Sequence, residues 1–380
     1  MTAHAGLAHT PLDPARLSAA AQRALGPGPG RLMAARGILP LSTADQAAVL
    51  YQLSLEADAA IAQSARTTAA ALPDKLLVGT LADPAIDPRV IDFFAGLALA
   101  GERPALIEAI VLAPAVADPT VAALAARCGS REVDLIAQNE QRVLRHPEII
   151  AAMYMNRRAR MSTIDRVVEL AVRNDVRVPG LAAWDEVARA LTGGASAGAQ
   201  DDALIEGVLA VAGDDSALTA GDAELAPLEA EAAPGAPGRD GREERDEKDW
   251  DRMSVPAKIR AATLGNASTR AKAIRSPNRL VAMAAIKAPG VKDMEAVHYA
   301  GNQNLPEDVI RFIASKREWT KLYGVKVALC RNPKTPLVEA TRLIASLREK
   351  DIQVLAKSKG VPSALAAQAR KLLMQRKGKA

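Results

Sequence analysis

Two runs of this 380-residue chain hold the side chains best placed to do chemistry. Arg157-Arg158-Ala159-Arg160, with Arg166 further on, sets guanidinium forks close together, and such forks match the paired oxygens of carboxylates and phosphates. Lys316-Arg317-Glu318-Trp319-Thr320-Lys321-Leu322-Tyr323, followed by Lys326, Arg331 and Lys334, interleaves cations with two aromatic rings. That combination can neutralise a polyanion and stack on its bases. The chemistry on offer is anion recognition, with Arg157, Arg158, Arg160, Arg166, Lys316, Arg317, Trp319, Lys321, Lys326, Arg331 and Lys334 as candidate contacts. A plain structural use competes at both places: a solvated turn for the arginines, and core packing for Trp319 and Tyr323.

Groups suited to catalysis are sparse. Of four histidines, His4 and His9 fall in an N-terminal tail expected to be loose, and His146 precedes a helix-starting proline, where a polar cap is ordinary. His298 follows Glu295 by three residues, the spacing of a common surface pair. Cys128 and Cys330 have no cysteine or histidine near them in sequence, so neither a metal knuckle nor a redox pair is signalled, and both read as buried thiols. H-E-x-x-H and G-x-x-x-x-G-K-[ST] are absent from the sequence. Gly26-Pro27-Gly28-Pro29-Gly30 is glycine-rich, but its prolines remove the N–H donors a phosphate cradle uses. The expectation is a protein that is not an enzyme, with no catalytic residue, metal or cofactor.

The elements that must carry the basic clusters announce themselves through proline. Pro88, Pro119 and Pro147 recur at 31 and 28 residues, and Pro306, Pro336 and Pro362 at 30 and 26. Proline is tolerated at the first helical position, whose N–H has no intrahelical partner, and it pushes the residue before it out of the helical region. Each X-Pro therefore predicts a helix start. The apolar residues behind them, such as Val90, Ile91 and Phe94 or Ile149, Ile150 and Met153, fall on one helical stripe. From 254 onward, breaks at Gly265-Asn266, Pro277-Asn278, Pro289-Gly290 and Gly301-Asn302 come every 12 residues, so two short helices make a 24-residue unit. Helices this short persist only by packing on neighbours. Asn139, Asn156 and Asn174 are read as turn formers.

Composition agrees with helix. Hydrophobic residues are 49% of the chain, much of it alanine, and aromatic residues only 3%, which favours close helix stacking over strands. Charge is segregated. Residues 251–380 hold 26 Lys and Arg against 9 Asp and Glu, a net of +17, whereas 201–250 hold 4 against 15, a net of −11. The predicted architecture is all-α: an N-terminal helical cap region (1–75), a helical-repeat module (76–192), an acidic flexible linker (193–250) and a basic helical-repeat module (251–380), the two modules being α-solenoids joined by a disordered linker. Within the linker, Ala203 to Ala212 is read as a transient helix or docking peptide.

Cys330-Arg331-Asn332-Pro333-Lys334-Thr335-Pro336, taken with the 24-residue beat, resembles the leucine-rich repeat variant group and, more loosely, HEAT-type helical repeats. The stretch from MSVPAKIRAATLGN to LAAQARKLL also resembles a bacterial repeat segment. The resemblance covers about 250–375 and, more weakly, 76–175. It implies a surface-presenting solenoid. Some members of the variant group hold an iron–sulfur cluster on cysteines; this chain, with two distant cysteines, departs from that pattern and no cluster is implied.

Stacked hairpins create extended binding surface. The expected function is a non-catalytic, protein-binding scaffold or adaptor in the cytoplasm, with a partner of acidic character. The alternative is nucleic-acid binding through the basic C-terminal module. Contact between the acidic segment and the basic module is a further expectation, since opposite charges are tethered.

Overall fold

The computed structural model describes residues 6–28, 30–193, 199–211, 248–358 and 360–377. Among them the regular elements are helices, with no strand, so the all-α expectation holds. None is long and apolar enough to cross a membrane. The chain divides into two units, 1–181 and 182–380.

In the first unit the proline rule places helix starts as expected. Pro88 opens Pro88–Ala100, Pro119 is the second residue of Asp118–Ala125, and Pro147 caps Glu148–Met155. Val90, Ile91, Phe94, Val121, Leu124, Ile149, Ile150 and Met153 are all buried behind them. Ser42 caps Thr43–Leu53 by accepting from the Asp45 amide. Helix Met161–Arg173 begins without a proline, with Arg160 as its cap. Thr163 lies in its first turn, and the hydroxyl donates to Asp134 on the earlier helix Ser130–Gln138.

The second unit starts earlier than the expected module. Helices Trp184–Thr192 and Ala199–Val211 both pack on Val255–Leu264, and Ser254, which caps that helix, donates its amide to Asp201 at 3.0 Å. The module boundary expected at 192 therefore falls before Trp184, and the acidic run leaves from and returns to one unit. Most of the expected linker, 212–247, lies outside the described residues. The 12-residue breaks separate Val255–Leu264, Ala267–Ile274, Arg279–Lys287 and Asp293–Gly301, with Asn266 and Asn278 as N-caps. Pro306, Pro336 and Pro362 directly precede Glu307–Ser315, Leu337–Ile344 and Ser363–Lys377.

Within each unit most helices pack on the next one to three along the chain, while Trp184–Thr192 also reaches Arg279–Lys287. Side chains tie these neighbours at nearly the spacing of the prolines. Asn156 is 3% exposed, and its amide donates to the carbonyls of Ala125 and Cys128 at 2.8 and 2.9 Å. Asn332 in the other unit, 1% exposed, donates to Ala300 and Asn302 at 2.9 and 3.1 Å. Each also accepts from the amide two residues ahead, Arg158 and Lys334 respectively. Both asparagines thus cover carbonyls at the end of an earlier helix, groups with no intrahelical partner. Asn139 and Asn174 keep the turn role, as N-cap and C-cap.

Candidate functional site

The second unit contains a charged groove of about 380 Å³ whose walls come from three helices. Trp184–Thr192 presents Glu186 and Arg189, Arg279–Lys287 presents Arg279, Met283 and Lys287 at i, i+4 and i+8, and Glu307–Ser315 presents Asp308, Arg311, Phe312 and Ser315. Helical periodicity puts each set on one face.

At the base, the Lys287 ammonium donates to both oxygens of Glu186 at 2.9 and 3.0 Å. The Glu186 side chain is 4% exposed, and Lys287 Nζ stands 6.0 Å from the Phe312 ring centroid. At the rim, Arg279 forks onto Asp308 at 2.7 and 2.9 Å, and Arg311 pairs with Glu307 at 2.5 Å. Arg189 is exposed and its guanidinium bonds no described residue. Four cations and two carboxylates line the groove beside apolar Leu280, Met283 and Phe312. An acidic group entering it meets one uncommitted guanidinium and a second that can share its fork. The arrangement suits binding of an acidic segment with an apolar side chain.

The candidate contacts read from sequence are largely used internally. Arg158 pairs with Glu102 at 4.0 Å and Arg160 with Asp134 at 2.9 Å, while Arg157 and Arg166 are exposed. In the second run, Trp319 is 3% exposed and packs edge-on to Phe312, so it cannot stack on a base. Lys316 lies over that indole at 3.9 Å, the Lys334 ammonium donates to the Leu305 carbonyl, and Arg331 pairs with Asp351 at 3.5 Å. The Tyr323 hydroxyl donates to Asp351. Arg317 and Lys321 are exposed, and Lys326 is half-buried. The aromatic rings thus serve packing, as their burial energetics favour.

Two histidine expectations change. His9 is not loose: its Nε2 meets Asp92 Oδ2 at 2.8 Å, its ring packs near Tyr51 and Phe93, and the Tyr51 hydroxyl holds the Thr10 carbonyl. Thr120 donates to the other Asp92 oxygen at 2.5 Å. The hydroxyl bonds the carboxylate rather than the imidazole, which is not the hydroxyl–imidazole–carboxylate order of a catalytic triad. His4 lies outside the described residues. Glu295 turns away from His298 to take a bidentate pair from Arg270 at 2.7 and 3.0 Å, with the Tyr299 hydroxyl also on it. Burial, and then Arg275, holds the His298 imidazole below its ordinary pKa. Cys128 and Cys330 are buried, and burial pushes both thiols up to about 12, far from the reactive thiolate range. Among the described residues no group of three His, Cys, Asp or Glu is arranged to hold a metal.

The groove residues Arg189, Arg279, Lys287 and Arg311 escaped the sequence reading because they are dispersed over three helices, with Arg189 and Arg311 122 residues apart. Helical spacing within 279–287 and 307–315 was the available signal. No family model matches the chain, and no curated protein and no solved structure matches it.

Proposed function

We propose that the chain is a non-catalytic scaffold or adaptor whose two units are helical-repeat solenoids that present surface to protein partners. The observation that carries the reading is the equivalence of Asn156 and Asn332. Two units with different sequences place a buried asparagine at the same joint, bonding carbonyls 28 to 32 residues back and an amide two residues ahead. A shared joint that ties one helical hairpin to an earlier one is what stacking into a continuous face calls for. The resemblance to leucine-rich repeat variant and HEAT-type proteins fits the same reading, and the net +17 of 251–380 favours an acidic partner.

Burial of Trp319 and the commitment of Lys316, Lys334 and Arg331 weigh against the nucleic-acid alternative. A titration separates the two. A fluorescent acidic peptide containing Leu and Phe, and a single-stranded oligonucleotide of equal charge, are titrated with full-length protein at two salt concentrations. Retention of peptide binding at the higher salt while oligonucleotide binding collapses supports the scaffold. The reverse ranking supports nucleic-acid binding.

A further inference from the structure

The first unit holds a second groove, of about 600 Å³, among helices Pro88–Ala100, Pro104–Leu112 and Ser130–Gln138. Leu99, Pro104 and Ile107 give it an apolar wall, and Glu132 supplies a carboxylate on the opposite side. Glu132 is 5% exposed. No described residue donates a hydrogen bond to its carboxylate or forms an ion pair with it, and its oxygens are not sealed within protein. Gly129 leaves the space the carboxylate occupies: a Cβ there would stand 2.7 Å from Oε2.

A buried carboxylate without a donor is costly. Its position in the first turn of Ser130–Gln138 offsets part of that cost through the helix dipole. The remaining need is for a cation, and the protein's own cations do not meet it. Arg158 is turned to Glu102 on the rim, and Arg127 is exposed at the groove edge without a bonding partner among the described residues. The two guanidiniums that line the groove, Arg127 and Arg158, thus leave the Glu132 carboxylate without a bonded donor, a place for a cation carried on an apolar stem.

We propose that this groove binds a primary alkylammonium group, with Glu132 accepting from the ammonium and Leu99 and Ile107 covering the alkyl stem. Charge-assisted bonds to the carboxylate and burial of methylene groups act together. The group can come from a free amine or from a lysine of a partner protein. The proposal goes beyond the scaffold reading and does not rest on it.

The test is a titration of full-length, methyl-labelled protein with hexylammonium, hexanol and hexanoate, following the Leu99 and Ile107 methyl resonances. Hexylammonium should shift both saturably, with hexanol and hexanoate at least tenfold weaker. Glu132→Gln, which keeps the shape and removes the charge, should weaken hexylammonium at least tenfold. Equal response to hexanol, or undiminished binding by a folded Glu132→Gln protein, overturns the proposal. Arg127→Gln provides a second arm that leaves Glu132 in place. Removing the rim cation should tighten hexylammonium two- to threefold, and no tightening counts against the site. An acetylated, amidated Ala-Ala-Lys-Ala-Ala peptide identifies the source. Binding tighter than hexylammonium assigns the site to protein lysines, and weaker binding assigns it to free amines.

Discussion

Asn332→Ala should destabilise the second unit by about 2 to 4 kcal/mol. The side chain makes three hydrogen bonds at 1% exposure, to the carbonyls of Ala300 and Asn302 and from the amide of Lys334. A protein hydrogen bond contributes about 0.5 to 1.5 kcal/mol net, and a buried group left without a partner costs about 1 to 3 kcal/mol. Water entering the vacated space relieves part of that, which sets the upper bound below the simple total. Asn332→Asp refines the test, because it keeps the acceptor for Lys334 but aims an oxygen at two carbonyls. Burial and the facing carbonyls raise the pKa of the introduced carboxyl in the folded state above its unfolded value of about 3.9. The variant should therefore lie closest to the parent below about pH 4 and lose stability as pH rises through the folded pKa. Asn156→Ala should behave as Asn332→Ala does, in the first unit. Urea unfolding gives the size of the loss, and hydrogen exchange of segments 293–344 and 118–161 locates it. Losses under half a kcal/mol for both alanine variants, or loss of protection spread evenly over the chain, would refute the joint.

Ile310 is fully buried, so Ile310→Ala should cost about 2 to 5 kcal/mol by urea unfolding; less than half a kcal/mol would show that the surroundings are not packed on it. Arg89, through its side-chain bond, holds the Asp87 carboxyl below the usual carboxylate range, so this contribution is present above the unfolded pKa and is lost as pH falls. Arg89→Gln should lower the urea midpoint more at pH 7 than near pH 2, where only its bonds to Thr10 and Pro11 are lost; equal loss at both pH values contradicts this. With both thiols pushed up to about 12 by burial, a disulfide reagent at pH 8 should label native protein slowly and urea-unfolded protein at once. Rapid labelling of two thiols in the native state would contradict that burial. Deleting 213–247, which lie outside the described residues, should tighten binding of an acidic peptide at low salt, with the gain shrinking as salt rises. Equal affinities at low salt would show that this run does not compete.

The helical class and most helix starts were legible because proline and asparagine act locally. Pro88 and Pro306 restrict their own backbone whatever surrounds them, and Asn266 and Asn278 cap helices within three residues. Burial of Ile149 or Ile313 follows from helical period alone. Tertiary use was not legible. Asn156 has the sequence context of a turn residue, yet its amide reaches carbonyls 28 and 31 residues back. Trp319 has cations on both sides in sequence, but Lys316 folds onto its ring and Phe312 covers it. Helix Trp184–Thr192 precedes the acidic run and packs with helices that follow it, a pairing no local pattern encodes. The groove carboxylates Glu132 and Glu186 look like solvated helical residues until a folded neighbour removes water from them.

The scaffold reading is tested most directly by affinity capture with full-length protein, with and without nuclease, beside a charge-reversed Arg189→Glu, Arg279→Glu variant. The parent should retain a defined protein partner after nuclease treatment, and the variant should lose it while remaining folded by far-UV circular dichroism, even though Arg279→Glu gives up the pair with Asp308. Both changes lie at exposed positions of the groove in the second unit. Recovery that vanishes with nuclease would contradict the account and assign the basic unit to nucleic acid.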